Sequence, residues 1–349
     1  MTAPVMRSLL SAALFMFTLS AAAQDDWTSL PALPDAEGFA GSFAGVAGGA
    51  LLVAGGTNFP DKRPWEGGTK VWYDTVYALS EPNGTWAEAG RLPKANGYGV
   101  SITTPDGLVC IGGGDLEANF RDVFRLRYTK GKLTTQALPL LPQPCAFMAG
   151  AEMNGILYVA GGIANPAATE ALKTLWALDL KQVDKGWKEL PPCPGPARIL
   201  ATMAAHDDVL YYISGASLKP DAAGKPAREW LSDAWSYRPN QAWKKIADIP
   251  RVAVAAPSPA PVIDDHILIL GGDDGVNVNF EPKDKHPGFP REILTYHPGS
   301  DSWGGIGDLP FSLVTTPAVE WQGRIIIPGG EARPGKRSPE VWSGKPVIP

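Results

Sequence analysis

The chain has 349 residues, of which 44% are hydrophobic and 19% charged, and its formal net charge at pH 7 is −5. This acidic balance excludes the broad basic surface on which nucleic-acid and anionic-membrane binding depend, so we expect neither partner. The 39 glycines, 34 prolines and 12 tryptophans favour many short strands joined by tight turns over long helices.

The N-terminal segment has the pattern of a secretory signal. Arg7 provides a positive charge, Leu9 to Leu19 form an apolar core, and Ala21-Ala22-Ala23 provides small residues for cleavage. The apolar run is too short to span a bilayer. We therefore expect residues 1–23 to be a signal peptide and residues 24–349 to form one mature domain, periplasmic or secreted.

A short apolar strand that ends in a glycine pair, or once in Ser-Gly, recurs six times along the chain. The six segments are residues 51–56, 108–113, 157–162, 210–215, 267–272 and 325–330. Their final glycines lie 49 to 58 residues apart, close to the kelch period of roughly 50 residues. Glycine suits a place where backbones converge near an axis, because it has no Cβ.

Tryptophans recur in phase with the glycine pairs, each near the start of another predicted strand. They are Trp27, Trp86, Trp187, Trp243 and Trp303, and Leu133 takes this place in the second repeat. A further apolar strand, such as Val76 to Leu79, lies between each glycine pair and the tryptophan position. Each repeat therefore predicts four strands, as in one propeller blade, with the tryptophan packed between neighbouring blades.

The two ends of the chain complement each other. The first predicted strand, at Trp27, has no glycine pair before it, and the last repeat has a strand near Val341-Trp342 but no final tryptophan strand. We therefore predict an all-β, six-bladed propeller of kelch-type repeats. The N-terminal strand would close the last blade and leave no free sheet edge.

Three cysteines make a poor disulfide framework. Cys145 and Cys193 are predicted to occupy equivalent positions in neighbouring repeats. Two possibilities stay open for them, a disulfide between the two or a pair of buried thiols.

The irregular loops that follow the glycine pairs are predicted to share one face and to hold the functional site, because they vary most. Basic residues are frequent in these loops although the whole chain is acidic, which favours capture of an anion near the axis. They include Lys62, Arg63, Lys70, Arg121, Arg198, Arg228, Arg251, Arg333 and Arg337. The candidate binding residues are Asn58, Arg63, Tyr73, Tyr98, Arg121, Arg198 and Arg333. The alternative for each basic side chain is a solvated surface position.

The sixth loop carries the most specific motif. It reads Gly329-Gly330-Glu331-Ala332-Arg333-Pro334-Gly335-Lys336-Arg337, and Gly38-Phe39-Ala40-Gly41 and Gly97-Tyr98-Gly99-Val100-Ser101 precede the first two glycine pairs. These segments resemble the sialic acid mutarotases, also called N-acetylneuraminate epimerases, a family of kelch propellers. That family has a catalytic Glu after a glycine pair and an Arg six residues further on. The blade that carries the Glu is the last one in this chain, whereas it lies in mid-sequence in the best-known members. The order in this chain is similar to that of a circularly permuted branch of the family.

The resemblance implies that Glu331 is a general base and that Arg337 binds the substrate carboxylate. N-acetylneuraminate mutarotates when its anomeric hydroxyl loses a proton and its ring oxygen gains one, so that the ring opens to a ketone and recloses. No metal or other cofactor is required. Tyr73, Tyr98 and water stay open as the proton donor to the ring oxygen. We expect a small acidic sugar as substrate, while the oligomeric state stays open.

Three other functions deserve comparison. A kelch-type copper-radical oxidase needs converging His and Tyr ligands, and of the four histidines only His286 lies in a suitable loop. A sialidase needs repeated Ser-x-Asp-x-Gly-x-Thr-Trp turns, of which Asn83-Gly84-Thr85-Trp86 is a single partial match.

The alternative that stays open is a non-catalytic kelch propeller that binds a glycan or a protein partner. A contiguous exposed aromatic patch on the loop face would indicate it.

Overall fold

Almost all regular structure in the computed structural model is β-strand, which confirms the predicted all-β class. The structure describes residues 26–348, so the predicted signal peptide lies outside the described residues. The first strands are β1 (Thr28–Leu30), β2 (Phe43–Ala47), β3 (Ala50–Ala54), β4 (Thr57–Asn58), β5 (Val71–Trp72), β6 (Thr75–Leu79), β7 (Ala87–Arg91), β8 (Val100–Thr104), β9 (Gly107–Ile111), β10 (Val123–Thr129) and β11 (Lys132–Leu138). The next are β12 (Ala149–Met153), β13 (Ile156–Ala160), β14 (Leu175–Asp179), β15 (Lys188–Glu189), β16 (Arg198–Ile199), β17 (Thr202–His206), β18 (Val209–Ile213), β19 (Ala216–Pro220), β20 (Pro226–Trp230), β21 (Ala234–Tyr237) and β22 (Lys244–Ile246). The last are β23 (Val262–Ile263), β24 (His266–Leu270), β25 (Glu292–His297), β26 (Ser302–Asp308), β27 (Val319–Trp321), β28 (Arg324–Pro328), β29 (Glu331–Arg333), β30 (Lys336–Arg337) and β31 (Val341–Gly344), with short 3-10 helices at Pro64–Glu66, Val183–Lys185 and Lys283–Lys285.

Most of these strands belong to six antiparallel four-stranded sheets. Five sheets are built in chain order, namely β2-β3-β6-β7, β8-β9-β10-β11, β12-β13-β14-β15, β17-β18-β21-β22 and β23-β24-β25-β26. The sixth sheet has the order β27-β28-β31-β1, so its outer strand comes from the other end of the described chain. In that pairing Ser29 lies opposite Trp342. The strands that precede the glycine pairs are the second strands of their sheets, and their buried side chains form much of the core.

Four tryptophan side chains link neighbouring sheets by hydrogen bonds. Each indole N–H donates over 2.8 Å to a carbonyl just after the outer strand of the preceding sheet. The pairs are Trp86 with Pro31, Trp187 with Pro139, Trp243 with Pro191 and Trp303 with Ala247. These bonds satisfy the polar end of a side chain whose rings are packed between apolar surfaces. The tryptophan pattern therefore reflects a repeated contact between sheets.

Six residues, one from each repeat, form a closed cycle of backbone hydrogen bonds, which we call the inner ring. The N–H of each member donates over 2.7–2.9 Å to the carbonyl of the member before it, and the N–H of Gly41 donates to Thr315 to complete the cycle. The members are Gly41, Tyr98, Phe147, Leu200, Ala255 and Thr315. All six have φ between +55° and +66°. This left-handed backbone costs a non-glycine residue on the order of 1 kcal/mol or more, and the hydrogen bonds of the cycle offset that cost.

Several loops that were predicted to be irregular contain additional strand pairs, which is a correction. β4 pairs with β5, β19 pairs with both β16 and β20, and β29 pairs with β30. In the last of these pairs the chain reverses at Gly335, whose φ is +76°. The first, fourth and sixth loops are therefore more regular than expected.

The three cysteines of the chain are buried free thiols. The N–H of Gly113 donates to Cys145 and the N–H of Gly162 to Arg198, so Arg198 is the structural equivalent of Cys145. The predicted equivalence of Cys145 and Cys193 is therefore wrong.

Within residues 26–348, no helix is both long enough and apolar enough to cross a membrane.

Candidate functional site

The first residue after each glycine pair lies beside the inner ring. In every repeat this residue pairs with the residue just before a ring member, as Glu331 pairs with Val314. The six residues in this position are Thr57, Gly114, Ile163, Ala216, Asp273 and Glu331. Only two of them are acidic. The repeat architecture therefore brings the Glu331 backbone to the ring, as the sixth-loop motif predicts.

The Glu331 carboxylate is held by its own hairpin. Glu331 and Arg337 are partners in the β29–β30 pair, and Arg337 Nη1 donates to Glu331 Oε1 over 2.5 Å. The N–H of Gly335, at the turn, donates to the same oxygen over 2.7 Å. Oε2 accepts no hydrogen bond within the described residues, and the side chain is 20% exposed. One carboxylate oxygen is therefore fixed, while the other is available to exchange a proton.

Arg337 forms the buried part of the pair, with a side chain only 3% exposed. Its Nε donates to the Thr57 carbonyl and its Nη2 to the Tyr98 hydroxyl, both over 3.4 Å. The guanidinium carbon lies 5.1 Å from the centre of the Phe59 ring, a cation–π distance. The Tyr98 hydroxyl also lies 2.8 Å from Thr57 Oγ1. Glu331, Arg337 and Tyr98 are therefore brought together into one cluster.

Asn58 and Tyr73 form a second polar group next to this cluster. Asn58 is fully buried, and its amide donates to Asp35 Oδ1 and to the Gly38 carbonyl, each over 3.0 Å. The Tyr73 hydroxyl donates to Asn58 Oδ1 over 2.8 Å. Burial, with a further contribution from Asp35, raises the pKa of Tyr73. Its phenol therefore stays protonated at neutral pH and its proton is directed at Asn58.

Arg63 and Arg333 lie in the loops around the cluster and are bonded to other groups. Arg63 forms a two-point ion pair with Glu37, in which Nη2 donates to Oε1 over 3.1 Å. Arg333 Nη1 donates to the Asp284 carbonyl over 2.7 Å, which ties the sixth loop to the fifth.

The structure does not bring Arg121 and Arg198 into the cluster. Arg121 Nε donates to the Leu141 carbonyl over 2.6 Å. Arg198 is 1% exposed, and its guanidinium donates to Asp233 Oδ2 over 2.6 Å and to the Ser214 carbonyl over 3.0 Å. Burial is the largest single influence and lowers the pKa of Arg198, but the hydrogen bond to Asp233 together with the charges of Tyr212, Asp233 and Cys193 outweighs it, so the pKa is raised.

The bond from Arg198 to Ser214 recurs in other repeats. Asn96 Nδ2 donates to the Gly112 carbonyl and Cys145 Sγ to the Gly161 carbonyl, in the equivalent places. Arg198 therefore donates to the end of the second strand of the next sheet, as Asn96 and Cys145 do in their repeats. In this position its side chain connects the third repeat to the fourth.

The cavities near the axis differ in size and in chemistry. A small cavity of about 70 Å³ lies against the inner ring and includes Tyr98 and Phe147 in its wall. A pocket of about 210 Å³ adjoins it and is lined by Lys70, Trp72 and Tyr98, among others. A larger cavity of about 640 Å³ is lined by Glu320, Gln322 and Gly323, among others, at the hairpins between first and second strands, and contains none of the predicted site residues. Tyr98 is the residue of the cluster that lines this pocket.

No three His, Cys, Asp or Glu side chains of the described residues lie close enough together to hold a metal ion. His286, the histidine in a suitable loop, is 4% exposed, and its Nδ1 accepts the N–H of Gly288.

Thr57 and Phe59 were missed as candidates from the sequence, and Lys70 was counted only among the loop cations and not among the binding residues. Thr57 contacts Arg337 and Tyr98, Phe59 lies under the guanidinium, and Lys70 lines the pocket next to Tyr98. Thr57 could have been found, because it takes the same place after a glycine pair as Glu331. Phe59 and Lys70 depend on how β4 pairs with β5, which a two-residue strand does not reveal.

Known proteins that are similar to this chain belong to the family that the motifs resemble. A family model described as N-acetylneuraminate epimerase matches residues 8–135. Proteins named N-acetylneuraminate epimerase are 37% identical over 110 residues in Brucella suis, 43% over 88 in Yersinia pestis and 29% over 196 in Haemophilus influenzae. The resemblance to the N-acetylneuraminate epimerases is confirmed. These matches cover 29%, 22% and 49% of this chain and 28%, 21% and 51% of the relatives, so about half of a relative's length at most is matched.

A solved structure supports the fold over a greater length than the epimerase sequences do. The chain is similar to the structure of YjhT, a kelch-type propeller, with a TM-score of 0.65 and 17% identity. The match covers 89% of this chain and 95% of that one. At this identity the likeness concerns the fold alone, and it agrees with the propeller type predicted from the repeats.

Proposed function

We propose that this protein is a sialic acid mutarotase that interconverts α- and β-N-acetylneuraminate. The observation that carries the proposal is the Glu331–Arg337 pair beside the inner ring, with one carboxylate oxygen fixed and the other free. Similarity to the N-acetylneuraminate epimerases supports the substrate class. General base chemistry needs a carboxylate within hydrogen-bond reach of the substrate proton, and a partly exposed Glu331 meets that need.

In the proposed reaction Glu331 Oε2 accepts the proton of the anomeric hydroxyl. The bond between the anomeric carbon and the ring oxygen breaks, the ring oxygen takes up a proton, and an open-chain ketone results. Rotation about the neighbouring carbon–carbon bond and reclosure on the other face return both protons and give the other anomer. Arg337 holds Oε1 and presents its remaining N–H groups to the substrate carboxylate. Tyr98, whose hydroxyl accepts from Arg337 Nη2, is the proposed donor to the ring oxygen.

Arg63, Arg333, Asn58 and Tyr73 support this site from the surrounding loops in the proposal. They fix the first and sixth loops through their bonds to Glu37, Asp284 and Asp35. Arg121 and Arg198 take no part in it. No metal or other cofactor takes part in the proposed reaction.

We further propose that the six four-stranded sheets are the blades of one closed propeller over residues 24–349. The hydrogen-bond cycle of the inner ring and the pairing of β1 with β31 support six blades and closure by the N-terminal strand. The charged and apolar pattern of residues 1–23 supports export to the periplasm or beyond.

A non-catalytic binding role has less support from the loop face. Among the described residues, Trp65 is the single aromatic side chain more than a third exposed. The contiguous aromatic patch that would indicate such a role is not formed by these residues.

The test of the function is the mutarotation rate of freshly dissolved α-N-acetylneuraminate, followed by proton NMR. We expect the wild-type protein to accelerate equilibration and Glu331→Gln to abolish the acceleration. Glu320→Gln is the control. Glu320 lines the cavity of about 640 Å³, which contains none of the predicted site residues, so this substitution should not affect the rate. An unaccelerated wild-type reaction, or full activity in Glu331→Gln, would contradict the proposal.

A further inference from the structure

The pocket beside Tyr98 contains a lysine in an unusual setting. Lys70 Nζ lies 5.8, 5.5 and 5.3 Å from the ring centres of Phe59, Trp72 and Tyr98. These are cation–π distances, and the three rings replace part of the water that an exposed ammonium would have. The ammonium is therefore held in a defined place beside the pocket.

Pairing of β4 with β5 explains this placement. Trp72 lies opposite Thr57, whose carbonyl accepts from Arg337. Lys70 is two residues before Trp72, so in an extended segment the two side chains point to the same side. Lys70 is thus aligned with the site by the same short sheet that positions Thr57.

Lys70 also differs from the other loop cations in its partners. Arg63 pairs with Glu37 and Lys94 with Asp122, whereas Lys70 forms no ion pair within residues 26–348. Asp115 lines the same pocket, but its Oδ1 accepts the N–H groups of its own turn over 2.9 Å. A cation that is partly desolvated and unpaired favours an incoming anion.

Two further features of the pocket suit an acidic sugar. The Trp72 indole N–H is buried without an acceptor in the described chain, which leaves a donor for a ligand. Tyr98 and Phe147 are stacked, with ring centres 4.5 Å apart, and give the pocket an apolar floor. Arg337, the other cation proposed to contact the carboxylate, is 3% exposed and donates to Glu331, Thr57 and Tyr98, so two of its five N–H groups are left for a ligand.

We propose that Lys70 binds the carboxylate of the acidic sugar in this pocket and thereby selects ionised sugars over neutral ones. The inference rests on the proposed function for the identity of the ligand. It adds a second cation to the site, one that solvent can reach while Arg337 holds Glu331.

The test compares binding of N-acetylneuraminate with binding of its uncharged methyl ester, by calorimetric titration of the full chain. We expect wild-type protein to bind the acid roughly tenfold more tightly than the ester, as one well-placed charge pair permits. Lys70→Met should weaken acid binding about tenfold and leave ester binding unchanged. Lys70→Arg should keep most of the preference, and a raised KM with unchanged kcat is expected for Lys70→Met if the sugar is turned over.

Lys62→Met is the matched control, because it removes the same charge from the same loop at an exposed position outside the pocket. It should retain the wild-type preference. A wild-type protein that binds acid and ester equally, or a Lys70→Met variant that keeps the preference, would overturn the inference whatever the mutarotation rate. Preference for the acid without mutarotation would instead reject the proposed function and keep Lys70 as an anion-binding residue.

Discussion

Arg337 and Glu331 form an ion pair whose two side chains differ in exposure, 3% for the guanidinium and 20% for the carboxylate. The buried partner is the cation, and it also donates to the Thr57 carbonyl and the Tyr98 hydroxyl. Removal of the guanidinium therefore affects stability as well as chemistry, because it leaves several polar groups without their donor.

We expect Arg337→Met to lower the free energy of unfolding by about 3 kcal/mol, the size found when one partner of a buried pair is removed. Arg337→Lys should lose less, because an ammonium keeps the charge but lacks the planar fork that contacts three groups at once. Urea unfolding followed by tryptophan fluorescence measures both. If Arg337→Met unfolds at the wild-type urea concentration, the guanidinium does not stabilise this region.

The inner ring makes Gly41 sensitive to substitution. A Cβ added at Gly41 would lie 2.6 Å from Cδ1 of Tyr98, and the residue has a φ of +66°. We expect Gly41→Ala to lower the thermal unfolding midpoint and to displace Tyr98, with a loss of mutarotation. Gly49→Ala is the matched control, because φ is +83° there and no atom lies within 4 Å of the added Cβ.

Gly49→Ala should therefore show the cost of the backbone conformation alone. A Gly41→Ala protein that is no less stable than Gly49→Ala would mean that Tyr98 moves aside without cost. The comparison of the two variants separates steric overlap from backbone strain.

The repeats were predictable from sequence because their determinants are local. Each glycine pair follows a buried strand such as Leu51 to Ala54, and four of the five repeat tryptophans make the same contact with the preceding sheet. Glu331 was singled out by the resemblance of the sixth loop to the epimerase motif, and its catalytic role stays a prediction. These signals depend on spacing along the chain, which the sequence shows directly.

The partners of the loop side chains were less predictable, because they depend on pairings between distant segments. Arg198 had the charge of a ligand-binding residue, yet it is buried and its guanidinium donates to the Ser214 carbonyl of the next sheet. Lys70 had no distinguishing sequence feature, and its setting results from rings contributed by Phe59, Trp72 and Tyr98. The charge of a side chain and its position in a loop therefore do not distinguish a buried structural residue such as Arg198 from a residue beside a pocket such as Lys70.

The buried thiols lead to a prediction about reactivity. Burial raises the pKa of Cys193 to about 11 and raises the pKa of Cys145 still further. Since the thiolate is the reactive form, we expect slow reaction with Ellman's reagent at pH 8 in the folded protein. Three thiols should react after unfolding in urea without reductant. A count of one under those conditions would indicate a disulfide, for which the separate thiols of the structure give no basis.

Asp273 occupies the position in the fifth repeat that Glu331 occupies in the sixth. Burial raises the pKa of Asp273; the Gly275 N–H opposes this shift, as does His286, and Asp274 adds to it. Because the folded pKa exceeds the unfolded value of about 3.9, the folded protein binds more protons between the two values. Stability from this group is therefore present at low pH and is lost as the pH rises through the folded pKa.

Asp273→Asn keeps an oxygen that can accept the Gly275 N–H and removes the ionisation. We expect this variant to unfold at a higher temperature than the wild type at pH 7, and the difference to shrink at about pH 4, near the unfolded pKa. Differential scanning calorimetry at the two pH values measures it. Asp221→Asn is the control, because Asp221 also accepts N–H groups of its own turn but is exposed, so it reports the loss of one negative charge alone. A midpoint for Asp273→Asn at or below the wild-type value at pH 7 would show that burial does not penalise the ionised carboxylate.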